Sequence, residues 1–286
     1  MFKILEKTEL APEVTRVVID APVIAAKARA GQFVVIVLDE QGERIPLTLA
    51  DWDKEKGSIT LIVQKVGFTT KRLGGLHPGD SIAHILGPLG HPTEVNKIGE
   101  VYCVGGGVGI AEVYPVSRAF KEAGNRVTGI IGSRTKDLII LEKEMQKVCD
   151  ELFVTTDDGS YGRKGLVTDA LRTLLERGTP LQAVYAIGPM PMMKAVAEVT
   201  RTKKIKTVVS LNPIMVDGTG MCGGCRATVN GKTVFVCVDG PEFDAHKVDF
   251  ETLEKRNRTY KKDEEEAYKN LLCEYEKYQK TGVELT

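Results

Sequence analysis

The chain has 286 residues, 42% of them hydrophobic, and carries 39 basic and 39 acidic side chains. That length allows two or more domains, the apolar share supports an ordinary core, and the even charge argues against a nucleic-acid partner, which would call for a basic excess. No apolar run reaches the ~20 residues that span a bilayer, and the opening MFKILEKTEL is too charged for a signal peptide, so no membrane partner and a cytoplasmic location are expected.

Residues 1–95 read as strands without helices. Candidates lie at 14–21, 32–39, 45–51, 58–66 and 81–86, punctuated at short intervals by Gly, Pro and Asp. The pattern predicts a small antiparallel β-barrel or sandwich over residues 1–97. From residue 100 the rhythm changes. An apolar run at 101–104 enters a glycine cluster, and a helical stretch follows to about residue 123. Strands at 126–131, 152–156, 183–187 and 206–211 then alternate with helices at 138–148, 166–177 and 191–202. Such alternation predicts a parallel-sheet α/β domain over 98–212.

Residues 213–248 break the alternation and hold clustered cysteines. Segments 226–229 and 233–237 flank Asn230-Gly231, a hairpin signal. The last segment, 249–286, is charged and helical in pattern: Tyr268, Leu271, Leu272, Tyr275 and Tyr278 fall on one helical face. That face either packs on its own domain or docks a partner.

Six cysteines are present, at 103, 149, 222, 225, 237 and 273. Cys103 lies in an apolar strand and reads as a core residue. The segment from Asp217 to Cys237 has the spacing D-x4-C-x2-C-x11-C, with ligand-type side chains at Asp217, Cys222, Cys225 and Cys237. A [2Fe–2S] loop of the plant type uses C-x4-C-x2-C and a distant Cys. Asp217 stands at the first position; a carboxylate matches the thiolate charge but is a harder donor. Gly218, Gly220, Gly223 and Gly224 permit a loop that wraps closely and turns N–H groups inward. A zinc site completed by Asp217 or His246 is the competing reading of the same spacing.

Gly105-Gly106-Gly107-Val108-Gly109 follows a strand and opens a helix, which lets a phosphate approach backbone N–H groups at the positive helix end. A tight structural turn would use the same glycines. The next strand ends at Ser133-Arg134, where a dinucleotide fold places its ribose reader; an Arg there is compatible with a 2′-phosphate and hints at NADP. Two further strand ends, around Asp157-Asp158 and Gly188-Pro189-Met190, would converge on the same site. No catalytic triad or carboxylate pair is visible, and the four histidines show no ligand spacing.

Barrel, glycine turn, G-P-M-P-M-M and cysteine loop occur in one order, and the arrangement resembles the ferredoxin–NADP reductase superfamily. Within it the chain resembles the branch of dihydroorotate dehydrogenase electron-transfer subunits. It is most similar to the small (alpha) subunits of NADH-dependent ferredoxin:NADP oxidoreductases, which are flavin-based electron-bifurcating enzymes, and related chains are described as sulfide dehydrogenase subunits. The resemblance covers about residues 1–245, and Asp217 in the first ligand position is its most specific element.

The resemblance implies FAD on the barrel. Pro46, Leu47 and Thr48 match the family's flavin motif, with Leu47 on the isoalloxazine and Thr48 near the reactive flavin nitrogen. Ile45 holds the family's arginine position and Arg44 stands one residue earlier, so Arg44 would reach the pyrophosphate only through a bulge that restores its face. Gly67, Thr69 and Thr70 match the second flavin motif. Gly106, Gly107 and Gly109 would form the phosphate turn, Gly188, Pro189 and Met190 would lie near the nicotinamide, and Asp157, Asp158 and Ser160 near the adenosine. NAD(H) is the nucleotide implied, with NADPH and ferredoxin served through a larger iron–sulfur flavoprotein partner in a heterodimer. The competing expectations are a dihydroorotate dehydrogenase partner, or a zinc-stabilised nucleotide-binding module without redox function.

Overall fold

The computed structural model describes residues 1–40, 42–178 and 180–270. The N-terminal part is built from β1 (Phe2–Ala11), β2 (Val14–Asp20), α1 (Pro22–Lys27), β3 (Phe33–Val37), β4 (Ile45–Thr48), β5 (Asp51–Asp53), β6 (Ser58–Gln64), α2 (Phe68–Gly75), β7 (Ser81–Ile82) and β8 (His84–Leu89). Two antiparallel sheets, ordered β5-β6-β2-β1-β7 and β4-β3-β8, wrap one apolar core. Period-2 burial explains the wrapping: Val17, Ile19, Ile59, Leu61, Val34 and Ile36 point inward and are almost fully enclosed.

Three details differ from the sequence expectation. Two short helices, α1 and α2, interrupt the strands; α1 carries Pro22 in its first turn, where the missing N–H costs nothing. The expected strand at 45–51 is two strands in different sheets, β4 and β5. β1 was invisible because it is charged and buries only Ile4, leaving no clear alternation to read.

The second part comprises β9 (Glu100–Gly106), α3 (Gly109–Glu122), β10 (Arg126–Ser133), α4 (Glu142–Val148), β11 (Glu151–Thr156), β12 (Arg163–Lys164), α5 (Val167–Glu176), β13 (Ala183–Ile187), α6 (Met190–Arg201) and β14 (Lys206–Ser210). Continuous apolar runs such as Val101–Val104 and Ala183–Ile187 form central strands buried on both faces. The expected helix at 138–148 is a short 3-10 turn followed by the shorter α4, which starts after Leu141 at φ +53°.

The cysteine segment contributes β15 (Arg226–Val229), β16 (Lys232–Phe235), α7 (Val236–Asp239) and β17 (Glu242–Asp244), followed by α8 (Phe250–Asn257). The β15–β16 hairpin turns at Asn230 and Gly231, both at positive φ, as a type I′ turn requires. Cys237 lies on the one-turn α7 and not on the expected strand, because Phe235 ends the ladder opposite Arg226. β17 pairs antiparallel with β14, so the large sheet runs β12-β11-β10-β9-β13-β14-β17. Residues 261–270 are helical; Leu271, Leu272, Tyr275 and Tyr278 of the expected apolar face lie outside the described residues.

The parts are fastened together. Phe33 and Val35 of β3 share a core with Val236, Cys237 and Ala245. The Thr93 hydroxyl donates to the Glu242 carboxylate at 2.6 Å, and the His91 N–H donates to the Gly240 carbonyl at 2.7 Å. On the other flank Arg118 of α3 pairs with Asp51 at 2.7 Å and lies over the Trp52 ring at 5.1 Å. Among the described residues no helix is long and apolar enough to cross a membrane.

Candidate functional site

The carboxyl ends of β9, β10, β11 and β13 meet at a cavity of about 610 Å³. Parallel strands point their last residues and the following turns to one edge, and ligands of open α/β sheets bind there. The glycine turn is held by close backbone approach. Gly107 adopts φ +57° and its N–H donates to the Gly132 carbonyl at 2.9 Å. Gly109 packs so tightly on β13 that an added Cβ would stand 2.4 Å from the Ile187 carbonyl oxygen. The start of α3 is thereby fixed at the cavity, which Gly106, Gly107, Val108 and Gly109 all line.

Eight sequence-predicted residues line this cavity: Gly106, Gly107, Gly109, Ser133, Arg134, Asp157, Gly188 and Pro189. Asp158 and Met190 are not among its lining residues. The Asp158 carboxylate accepts from the Ser160 hydroxyl at 2.7 Å and its N–H at 2.9 Å, while Met192, further along α6, reaches the wall. Val14 and Gln64 of the barrel close the cavity from the other side.

Sequence reasoning missed Glu112. It sits half-buried in the first turn of α3 and lines the cavity. Desolvation pushes that carboxyl up to about 7, and the nearby Thr48 side chain only partly offsets it. An acidic residue in a helix's first turn is ordinary, so nothing in the sequence marked it.

On the barrel, β4 pairs with β3 in the register Pro46 opposite Val35, Leu47 opposite Val34 and Thr48 opposite Phe33, and β4 stays half-buried. The Thr70 side chain caps α2, accepting from the Gly67 N–H at 2.9 Å. The Thr69 hydroxyl donates to Glu43 at 2.7 Å. Arg44 turns toward the cysteine loop, with its guanidinium 3.8 Å from the Asp217 carboxylate.

The loop itself brings two of its four ligand-type side chains into contact. Cys225 and Cys237 stand Sγ to Sγ at 3.3 Å. At Cys222 it is the backbone N–H of Asp217 that faces the sulfur. Gly218, Gly220 and Gly223 all have positive φ, which lets the chain fold back on itself between Asp217 and Cys225. The hydroxyl of Thr219, then the N–H groups of Thr219 and Met221, hold the Asp217 carboxyl below its usual range. The N–H of Gly224, 3.4 Å from the Cys222 sulfur, holds that thiol low as well. Burial, and then Cys225, push the Cys237 thiol up to about 12. His246 is bonded at 3.0 Å to the Thr200 hydroxyl on α6. Among the described residues, no three His, Cys, Asp or Glu side chains are grouped so as to hold one metal ion.

A β-barrel joined to a parallel sheet with a phosphate-cradling turn, and a cysteine loop beside both, define an oxidoreductase-type electron-transfer protein with a ferredoxin-reductase-like fold. Comparison with known proteins agrees. Residues 103–198 match the oxidoreductase NAD-binding domain, and residues 212–249 match the iron-sulfur cluster binding domain of dihydroorotate dehydrogenase B. The electron transfer subunit homolog of dihydroorotate dehydrogenase B (NAD(+)) from Thermotoga maritima is 48% identical over 270 residues, covering 94% of this chain and 95% of that protein. The corresponding subunit from a Geobacillus species is 36% identical over 227 residues, covering 76% of this chain and 86% of its own. Among solved structures, a chain of the NADH-dependent reduced ferredoxin-NADP oxidoreductase, studied for flavin-based electron bifurcation, superposes with a TM-score of 0.91. It is 46% identical, with coverage of 95% of this chain and 98% of that one. The chain belongs to the family of dihydroorotate dehydrogenase B electron-transfer subunits.

Proposed function

We propose that the chain is the small electron-transfer subunit of a flavin-based electron-bifurcating NADH-dependent ferredoxin:NADP oxidoreductase, carrying FAD, one [2Fe–2S] cluster and NAD(H). The observation that carries this reading is the glycine-rich loop that brings Cys225 to 3.3 Å from Cys237, with Asp217 and Cys222 on the same loop and Asp217 beside Arg44 of the barrel. The D-x4-C-x2-C-x11-C spacing of the four ligand-type side chains suits a plant-type two-iron cluster. Inward N–H groups from Gly224 and Met221, and the positive-φ glycines, suit the charge of such a cluster. Gly218 supports its closeness to the barrel, because a Cβ there would meet Val35 at 2.8 Å and Leu89 at 3.0 Å.

When bound, these cofactors supply the exchange between one hydride and two single electrons. The protein's part is placement. Gly106, Gly107 and Gly109, with no side chains, would let the nucleotide phosphates come close to the backbone where α3 begins, Ser133, Arg134 and Asp157 would line the adenosine side, and Gly188 and Pro189 would leave room for a flat ring. Pro46, Leu47 and Thr48 form the flavin wall, and the turn of Gly67, Thr69 and Thr70 would hold its pyrophosphate. Arg44, drawn to Asp217, ties that wall to the cluster loop. A larger iron–sulfur flavoprotein would cover the loop, whose Met221 is 88% exposed and Val216 50% exposed. That partner would handle ferredoxin and NADPH, in the cytoplasm.

Purification of the native complex without oxygen, followed by iron, sulfide and flavin analysis and identification of the companion subunit, tests the proposal. FAD, two irons and a large iron–sulfur flavoprotein are expected. The names of several relatives favour a second reading, a dihydroorotate dehydrogenase electron-transfer subunit. An FMN-containing partner that oxidises dihydroorotate would establish that reading in place of the first. A colourless protein with one zinc would overturn both.

A further inference from the structure

Asp217 is held from two sides. Its Oδ2 oxygen accepts the N–H groups of Thr219 at 2.9 Å and Met221 at 3.3 Å, together with the Thr219 hydroxyl, all from the cysteine loop itself. Its Oδ1 oxygen faces Arg44, 3.8 Å away on the barrel. Among the described residues Arg44 is the one cation paired with Asp217, and Asp217 is the one acid paired with Arg44. Two features of the backbone bring them together. Gly218, the next residue, is buried and sits where a Cβ would meet Val35 of β3 and Leu89 of β8. Ile45 and Leu47 pack on the barrel core, so period-2 alternation turns Arg44 and Pro46 away from it.

As a prop for the fold this pair counts for little, because the Arg44 side chain is 50% exposed and surface ion pairs are weak. As the setting of a metal ligand it counts for more. At 3.8 Å the guanidinium makes an ion-pair contact and not a hydrogen bond, so the Oδ1 lone pairs stay open to an iron. The donors on Oδ2 fix the carboxylate's orientation, and the cation partly neutralises its charge. A cluster on Asp217, Cys222, Cys225 and Cys237 gains one negative charge on reduction, and a nearby cation favours that state.

We propose that Arg44 is a positioning residue of the cluster: paired with Asp217 from the barrel, it steers the open Oδ1 of that ligand and eases one-electron reduction of the iron pair. Arg44 has this role only if the loop carries the two-iron cluster proposed above. The barrel then has a second task beside flavin placement. β4, which walls the flavin, is preceded by the cation that tunes the next electron acceptor.

Arg44→Gln, Arg44→Lys and Asp217→Cys, each in the native complex purified without oxygen, test it. The readouts are flavin content and the midpoint potential of the two-iron cluster. The potential is followed by electron paramagnetic resonance in a redox titration, recorded warm enough that other iron–sulfur signals of the complex are broadened away. Arg44→Gln should shift the reduction equilibrium about tenfold toward the oxidised cluster, a drop of about 59 mV for one electron. It should also change the g-values of the reduced signal. Arg44→Lys, which keeps the charge, should recover at least half of the shift in potential. In an Asp217→Cys background the Arg44→Gln change should move the equilibrium less than about threefold, because the carboxylate it acts on is gone. An unchanged potential in Arg44→Gln, or an undiminished shift in the Asp217→Cys background, would overturn the proposal and leave the functional reading intact. Loss of FAD with a wild-type cluster potential would do the same, making Arg44 a flavin ligand. A wild-type complex without an iron pair would overturn the functional reading and the proposal together.

Discussion

Substitution of Gly109 by alanine tests how the glycine turn is held. The new Cβ would lie 2.4 Å from the Ile187 carbonyl oxygen and 2.7 Å from Gly188 Cα. Ordinary contact needs about 3.5 Å, so the overlap is about 1 Å. Both opposing atoms are backbone, and no rotamer change relieves the clash. α3 and the end of β13 must separate, at the edge where Gly188 and Pro189 also line the cavity. Overpacking of this kind costs about 1–3 kcal/mol, and the rigidity of both neighbours places this case near about 3. For a chain of this size that lowers Tm by roughly 5–10 °C. Gly107→Ala provides the contrast. Its Cβ meets nothing within 4 Å, yet its φ is +57°, so it pays only backbone strain of about 1 kcal/mol. The added methyl sits at the cavity where a phosphate would rest, so NADH affinity should fall more than stability does. Urea unfolding and NADH titration of both variants measure the two effects. A Gly109→Ala protein within about 0.5 kcal/mol of wild type, or one more stable than Gly107→Ala, would refute this account of the turn.

Other outcomes follow from the same structure. Burial pushes the Glu242 carboxyl up from 4.5 to about 7. Because the folded-state value is the higher one, its contribution is fully present below about pH 4.5 and is lost as pH rises through 7. That loss amounts to about 3 kcal/mol, and Glu242→Gln should flatten the decline in urea titrations run from pH 5 to 8.5. Cys225→Ala should abolish the visible absorbance of the cluster while leaving FAD bound, since Cys225 packs against Cys237 and not against the flavin wall; joint loss of both cofactors would make the loop a structural prop. Phe120→Ala, which empties a fully buried position 4.8 Å from the Tyr185 ring, should cost about 3–5 kcal/mol by thermal unfolding.

Much of the architecture was legible because it is written locally. Ala183–Ile187 is a run of five apolar residues and forms a central strand with those limits. The Asn230-Gly231 turn was readable from two residues whose backbone preferences match a hairpin. The glycine turn and the cysteine spacing could be located for the same reason: glycine and ligand chemistry act over a few positions. Helices α1 and α2 were harder to see, since six and eight residues are too few to show a helical period. Ser133, Arg134 and Asp157 came from strand-end reasoning and do meet at one cavity, whereas Asp158, a neighbour of Asp157 in sequence, is spent on Ser160.

The sequence by itself determined which stretches alternate, where the backbone must turn through positive φ, and which side chains can bind iron or cradle phosphate. Only the tertiary structure decided what lies across from them. β17 is three residues with no strand signal, and it forms because β14 offers an open edge. Glu112 is an ordinary helix residue until burial and Thr48, from another domain, change its acidity. Arg44 is a surface cation until the loop brings Asp217 to it. Propensity and spacing are properties of neighbours along the chain, whereas desolvation and pairing depend on neighbours in space.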